Sequence, residues 1–345
     1  MSVGLYYDPL FLQHDTVGHI VSSDRVTACL SLIEASGLAK RLERPACRDA
    51  TEAELARIHK LEHIARMRRV GERGPTFVLA DTIANTGTYA AALRAAGACL
   101  GAVEAVAAGD LESAYCLTRP PGHHSIAGAP MGFCFFISVA VAAAHARTAL
   151  GIERVAIVDI DIHHGNGTQD AFYADPSVLY VSTHEYPYYP GSGHWREAGE
   201  GEGRGTTLNL PLTGGCGDSE FARLFEAVVL PKLYAFRPGL ILVSAGFDAH
   251  FADPIYGALQ RLSCGGYADL IARLHDAAAE LCAGRIVCVL EGGYDLTALP
   301  WSVRNSIEAL ADEPITPDPL GAAPARTATD VEPLIEAVKQ LHALP

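Results

Sequence analysis

The 345-residue sequence lacks any Cys-x-x-Cys pair, any surplus of basic residues and any apolar run close to the roughly 20 residues that span a bilayer. Each absence removes a class of protein. Nine scattered cysteines, an odd number without paired spacing, give neither a disulfide framework nor a zinc ribbon, and free thiols suit a reducing compartment. A formal net charge of −14 repels a phosphate backbone. The best basic stretch, Arg66-Met67-Arg68-Arg69, reads as a solvated helix face, so direct nucleic-acid binding is not expected. Met-Ser-Val-Gly-Leu-Tyr-Tyr at the start has no basic region followed by a long apolar stretch, so a cytoplasmic protein without a membrane partner is expected. No internal repeat is visible.

What is present is apolar and alternating. Residues of hydrophobic type make up 49% of the chain and charged ones 19%, enough to build a large core. Short β-branched runs at Ala114–Thr118, Val155–Ile160, Val178–Thr183, Thr206–Leu210, Leu240–Ser244 and Ile286–Leu290 are separated by longer helical patterns. The latter are Ser22–Ser36, Thr88–Ala108, Ser138–Leu150, Ser219–Phe236 and Gly266–Cys282. This alternation predicts an α/β fold with a parallel sheet covered by helices. Gly191–Gly205 and Leu212–Gly217 read as loops over one end of that sheet. A Pro- and Ala-rich connection leads to a C-terminal amphipathic helix, Asp330–His342, so the chain divides into 1–313 and an appended 314–345. The appended helix can pack on the core or on a neighbouring subunit of a homo-oligomer, and the sequence leaves both open.

The chemistry concentrates where apolar strands run into acids and histidines. In Val158-Asp159-Ile160-Asp161-Ile162-His163, Asp161 and His163 are two residues apart, so in extended backbone they share one side and can ligate one metal, with Asp159 one step deeper. Asp248 follows another strand pattern and is the natural third ligand. Alone, an aspartate after a strand is more often a helix cap; the nearby histidine pairs reverse that reading. Three protein ligands keep a position open for water, which marks a catalytic zinc, although the same donor set accepts iron(II) or cobalt(II). In Arg119-Pro-Pro-Gly-His123-His124, adjacent histidines on a stiff turn suit proton transfer near neutrality. Glu291-Gly292-Gly293-Tyr294 lets the backbone approach closely and presents a tyrosine hydroxyl.

Together, Arg119–His124, Gly132-Phe133-Cys134, Asp159–Gln169, Ala245–Asp248 and Glu291–Tyr294 resemble the motifs of the histone deacetylase and acetylpolyamine amidohydrolase family, in the same order, over roughly Tyr6 to Asn305. Asn166 and Gly246-Phe247-Asp248 are similar to the class II branch and its bacterial relatives. The resemblance implies an arginase/deacetylase-type three-layer fold with a central eight-stranded parallel sheet. It implies a zinc-dependent hydrolase of acylated amines, with acetyl-lysine or another acyl-lysine as substrate, or an acetylpolyamine or other small acetylated amine instead.

Position by position, the resemblance assigns Asp161, His163 and Asp248 to zinc, His123 and His124 to proton transfer, Tyr294 to the acyl carbonyl, and Asp159 and Asn166 to orienting the histidines. It adds a structural potassium near Asp159, Asp161, His163, Ser182 and Thr183, which spacing alone does not reveal. Phe133 and Tyr189, with Gly132 and Gly293, are assigned to the substrate wall, and Asp81 to the substrate backbone. Ile255 stands where polyamine-selective relatives carry a glutamate, and Ile20-Val21 stands where Pro-Glu is common. Both departures bear on substrate preference. Two other readings compete: an arginase-like binuclear manganese enzyme, suggested by Asp248-Ala-His250-Phe-Ala-Asp253, and a silent acyl-amine binding protein.

Overall fold

In the computed structural model all residues are described except 1, 17, 71, 73, 74, 80 and 81. Among the described residues ten strands form in chain order: β1 Val3–Tyr6, β2 Leu42–Glu43, β3 Thr76–Leu79, β4 Thr82–Ala84, β5 Ser113–Cys116, β6 Val155–Asp159, β7 Val178–Glu185, β8 Thr207–Leu212, β9 Leu240–Ala245 and β10 Ile286–Leu290. Eight of them make one sheet in the order β2-β1-β5-β10-β9-β6-β7-β8, and every pairing in it is parallel. β3 and β4 form a separate antiparallel pair.

The central strands are apolar almost throughout because both faces of the sheet are covered. The period of two along each strand sends alternate side chains to two different cores. Ala156 and Val158 of β6, Ile241 and Val243 of β9, and Ile286 and Cys288 of β10 join one core; its helical partners include Asp24–Ala35, Cys264–Cys282 and Ala298–Leu310. Val155 and Ile157, Leu240 and Leu242, and Val287 and Val289 join the other, with helices Thr88–Ala108 and Ser138–Thr148. The result is the helix, sheet, helix sandwich that the resemblance implied. Thr88–Ala108 is long and apolar enough to cross a membrane by composition, and twelve of its residues are buried in this fold.

Six of the eight sheet strands follow the sequence pattern to within a few residues. The edge strands β1 and β2 do not, since four and two residues are too short to show a period. The single helix read over Ser219–Phe236 is continuous but interrupted by a π-helical turn, Phe225–Val229. Pro231 has no N–H to donate, so the α ladder cannot pass through it unchanged, and the preceding turn widens. Helix Glu332–His342 buries Ile335 and Val338 in the first core, and Arg223 forks to Glu332 at 2.7 and 3.0 Å. All nine cysteines are free, and Arg66, Arg68 and Arg69 are exposed around a buried Met67.

A helix is packed tightly on neighbouring backbone at Gly97, where a Cβ would stand 1.9 Å from the Arg48 carbonyl and 2.7 Å from the Ala50 amide nitrogen. Gly→Ala in a helix interior normally stabilises by about 0.5–1 kcal/mol. Here the obstacle is backbone, so Gly97→Ala is expected to reverse the sign and cost about 1–3 kcal/mol in urea unfolding. A stabilised variant would refute the packing described.

Candidate metal centre and active site

Parallel strands all end at the same edge, and chemistry in such sheets gathers there. β5, β10, β9, β6 and β7 are neighbours in the sheet. The segments leaving them carry His123 and His124, Glu291–Tyr294, Asp248, Asp161 and His163, and Tyr188 and Tyr189 respectively.

Asp161, His163 and Asp248 converge, all buried, with one ligand atom from each within 4.8 Å of the others. They do so without extended backbone: β6 ends at Asp159, and 161–163 is bent. The bend is closed by Asp161 Oδ1, which accepts from the His163 amide at 2.9 Å, and His163 Nδ1 then lies 3.0 Å from that oxygen and 3.1 Å from Asp248 Oδ2. Backbone amides steady the remaining oxygens. Gly292 N donates to Asp161 Oδ2 at 2.8 Å, and Ile162 N to Asp248 Oδ1 at 2.9 Å. Asp248 Oδ2 is buried and, among the described residues, has no well-aligned hydrogen-bond donor, that same His163 Nδ1 at 3.1 Å being its near neighbour.

Two carboxylates, one imidazole and one unsatisfied oxygen fit a divalent cation with an open coordination position. Glycine is needed for the carboxylates to fit at all. A Cβ on Gly292 would meet Asp248 Oδ2 at 2.1 Å, and one on Gly246 would meet Asp161 Oδ2 at 2.0 Å. The binuclear reading loses its extra ligands: Asp253 Oδ2 accepts from the amides of Tyr294 and Asp295 at 2.6 and 3.2 Å, and His250 Nε2 faces Cys264 Sγ at 3.5 Å. A second acidic grouping, Glu54, Glu104 and His145, is already occupied by arginine: Arg48 reaches both glutamates at 2.8 Å, and Arg57 lies 2.8 Å from His145 Nδ1.

The tandem histidines are each aimed through Nδ1. That of His123 is 3.1 Å from Asp159 Oδ2, and that of His124 is 2.9 Å from Asn166 Oδ1. Asn166 Nδ2 donates to the His124 carbonyl at 3.3 Å, so its Oδ1 is the acceptor. His124 therefore carries its proton on Nδ1 and leaves Nε2 basic. Burial opposes charge on both rings, but the Asp161 and Asp159 charges outweigh it at His123 and hold that imidazole up at about 10. At His124, burial and the neighbouring His123 and His163 act together and push it well below the usual histidine range. The adjacent rings are thus pushed in opposite directions.

Behind the cluster, Asp159 pairs in register with Ser182 of β7 and Ser244 of β9, and Thr183 Oγ1 lies 3.4 Å from the Asp159 carbonyl. The residues expected near a potassium ion are therefore adjacent.

In front lies a cavity of about 290 Å³ whose lining includes His123, His124, His163, Phe133, Tyr188, Tyr189, Ile255 and Tyr294. Tyr189 stands at the mouth, 43% exposed, with its ring 5.0 Å from His124. Phe133 adopts φ 68°, its amide held by Thr82 Oγ1, and its ring lies 6.4 Å from that of Tyr294. Gly132 also lines the cavity, where a Cβ would meet the His124 ring at 2.5 Å. Gly293 was expected in the wall, but Gly292 takes that place; Gly293, at φ 108°, turns the chain so that Tyr294 faces inward. Asp81 lies outside the described residues. Burial, with Asp248 nearby, pushes the Tyr294 phenol well above its ordinary value, so it remains a donor.

Arg25, Glu291, Asp253 and Tyr188 support the site in roles that the sequence does not show, although Glu291 and Asp253 lie in motifs that it does. Arg25 is buried, donates to the Gly293 and Glu291 carbonyls at 2.5 and 2.6 Å, and lies 4.9 Å from the Tyr294 ring centre. Glu291 Oε2 accepts from the amides of Gly122 and His123 at 2.6 and 3.2 Å; burial raises its carboxyl to about 7. Asp253 fixes the Tyr294 amide. Tyr188 stacks on His163, centroids 5.1 Å apart, and donates its hydroxyl to the Tyr256 carbonyl. An arginine inside an amphipathic helix and an acid inside a loop carry no local signal of such roles.

Residues 19–310 match the histone deacetylase domain. The chain is 38% identical over 363 residues to the chloroplastic histone deacetylase 10 of Oryza sativa subsp. japonica, covering 99% of this chain and 81% of that protein. It is 38% identical over 295 residues to a histone deacetylase-like amidohydrolase of Pseudomonas aeruginosa, covering 85% and 77%. A crystal structure of the HDA15 HD domain superposes with a TM-score of 0.89 at 33% identity, covering 99% of this chain and 94% of that one.

Elemental analysis of the purified protein is expected to give close to one divalent ion per chain. Gly292→Ala, which drives a methyl group between Asp161 and Asp248, is expected to lose most of it. Two ions per chain would restore the binuclear reading.

Proposed function

The chain belongs to the histone deacetylase family and is an amide hydrolase, and on that basis we propose that it removes the acyl group from acyl-lysine side chains. Acetylated polyamines, or another small acylated amine, are the alternative substrates. We assign catalysis to residues 1–313, with 314–345 as an appended segment. The observation that carries the reading is the oriented pair His123 and His124 beside Asp161, His163 and Asp248, at the base of an aromatic cavity. A protein that only binds acyl-amines has no use for two imidazoles each oriented through Nδ1 beside a metal site.

Asp161, His163 and Asp248 would hold a divalent ion, which we infer to be zinc and which would supply Lewis-acid polarisation of the acyl carbonyl and a more acidic water. His124 Nε2 takes the proton from that water, while Asn166 holds Nδ1–H and fixes the tautomer. Tyr294 donates its hydroxyl to the oxygen that gains charge as the carbonyl becomes tetrahedral. The proton then passes from the histidine pair to the departing amine, His123 being kept in position by Asp159. We infer that Asp159, Asp161, His163, Ser182 and Thr183 would hold a structural potassium, which would offset carboxylate charge.

The acyl-lysine preference rests on the cavity wall. Phe133 and Tyr189 offer flat apolar surfaces to a methylene chain, and Ile255 puts an alkyl group where a second ammonium would require an acid. The net charge of −14 favours polycations at long range and supports the polyamine alternative. Matched acetyl-lysine peptides and acetylated polyamines decide between them: the peptide is expected to show the higher kcat/KM, and a polyamine preference would contradict the assignment.

Tyr294→Phe is expected to lower kcat by about 10²–10³ with metal content unchanged, and undiminished turnover would remove Tyr294 from the mechanism. Asn166→Asp puts a carboxylate against His124, stabilises its charged form and raises its pKa. Because the base acts when unprotonated, the acid limb of the pH–rate profile is expected to move upward, by roughly one unit or more. An unmoved limb would show that His124 is not the base.

A further inference from the structure

At the N-terminal ends of β10, β9 and β6, the edge of the sheet opposite the active site, lies a second cavity of about 390 Å³. Its lining includes Arg154, Arg237 and Arg285, together with Glu153, Ile152 and Leu281. The topology brings the arginines together. Arg154 and Arg285 immediately precede β6 and β10, Arg237 comes three residues before β9, and these strands are neighbours. Backbone bonds fix the spacing: Gly239 N donates to the Arg154 carbonyl at 2.8 Å and Ile241 N to that of Arg285 at 3.0 Å.

The guanidinium groups there are largely unused. Arg285 Nε donates to the Gly239 carbonyl at 2.9 Å. Among the described residues none of the three has a carboxylate partner, whereas Arg48, Arg94, Arg147, Arg223, Arg273 and Arg304 all do. Arg237 also closes helix Leu230–Phe236 in the left-handed conformation, φ 56°, a position that glycine fills without strain. In a chain of net charge −14, three unpaired guanidiniums around one concavity run against the overall composition. Glu153 offsets one charge and leaves an excess of two.

We propose that this cavity binds a compact polyanion with clustered phosphoryl or carboxyl oxygens. Guanidinium forks match both groups in bidentate geometry. Among the described residues no aromatic side chain lines the cavity, so a nucleobase has nothing to stack on, and the recognition is of charge. An excess of two positive charges favours a polyanion over a monoanion.

The test is calorimetric titration of the full-length, metal-loaded protein with pyrophosphate, citrate and inorganic phosphate at constant ionic strength. One saturable site is expected for pyrophosphate or citrate, whichever binds tighter naming the class, with inorganic phosphate weaker than both. Arg154→Gln and Arg237→Gln are each expected to raise Kd by about tenfold or more. Both should retain wild-type metal content and deacylation rate, because these residues lie away from the active site. Absence of saturation with either polyanion, or variants that bind like wild type, would overturn the proposal.

Discussion

Four carboxylates, those of Asp159, Asp161, Asp248 and Glu291, are buried at one edge of the sheet, and the surrounding structure answers to the cost of keeping them there. An unpaired ionised carboxylate does not survive in such a place; it is protonated, paired or bound to a cation. Here the compensation comes in layers. Amides of Gly122, Ile162, His163 and Gly292 reach the carboxylate oxygens directly, and His123 and His163 stand between the acids. Among the described residues Glu291 Oε1 and Asp248 Oδ2 are left without a well-aligned donor, and the second faces the point on which Asp161 and His163 converge.

Those amides are available because parallel strands end in register and their loops turn over one edge. Gly246 and Gly292 are small because the carboxylates occupy the space a side chain would take. Two buried arginines hold the loops from behind. Arg25 grips the turn before Tyr294, and Arg119 reaches the carbonyls of Phe11, His14 and Val21. Burial, with Arg25 nearby, draws the Arg119 guanidinium down to about 9, yet at neutral pH it stays charged. Fixed positive charge behind the sheet edge thus faces buried negative charge within it.

Much of this was legible in the sequence because the relevant signals are local. Asp161 and His163 follow a mostly apolar strand, Asp248 follows another, and His123-His124 follows a third. What stayed illegible was set by contacts distant in the chain. Arg25 touches residues 266 and 268 positions away, so a helix period marks it only as a residue between apolar neighbours. The edge strand Leu42–Glu43 is defined wholly by its partner. The bent geometry at 161–163 differs from the extended backbone inferred from spacing, although the same two side chains converge, because a side-chain to backbone bond replaces the pleat. Gly293 was exchanged with Gly292 as a wall residue for a similar reason: two adjacent glycines look alike in sequence, and only the left-handed turn at Gly293 decides which faces the cavity.

The account stands on a single cation shared by Asp161, His163 and Asp248. X-ray absorption at the metal edge of the loaded protein tests it most directly. The expected first shell holds one imidazole and otherwise oxygen at about 2.0–2.2 Å, with no sulfur, and the imidazole signal disappears in His163→Ala. A sulfur shell, or a second metal at about 3.5–4 Å, would contradict it.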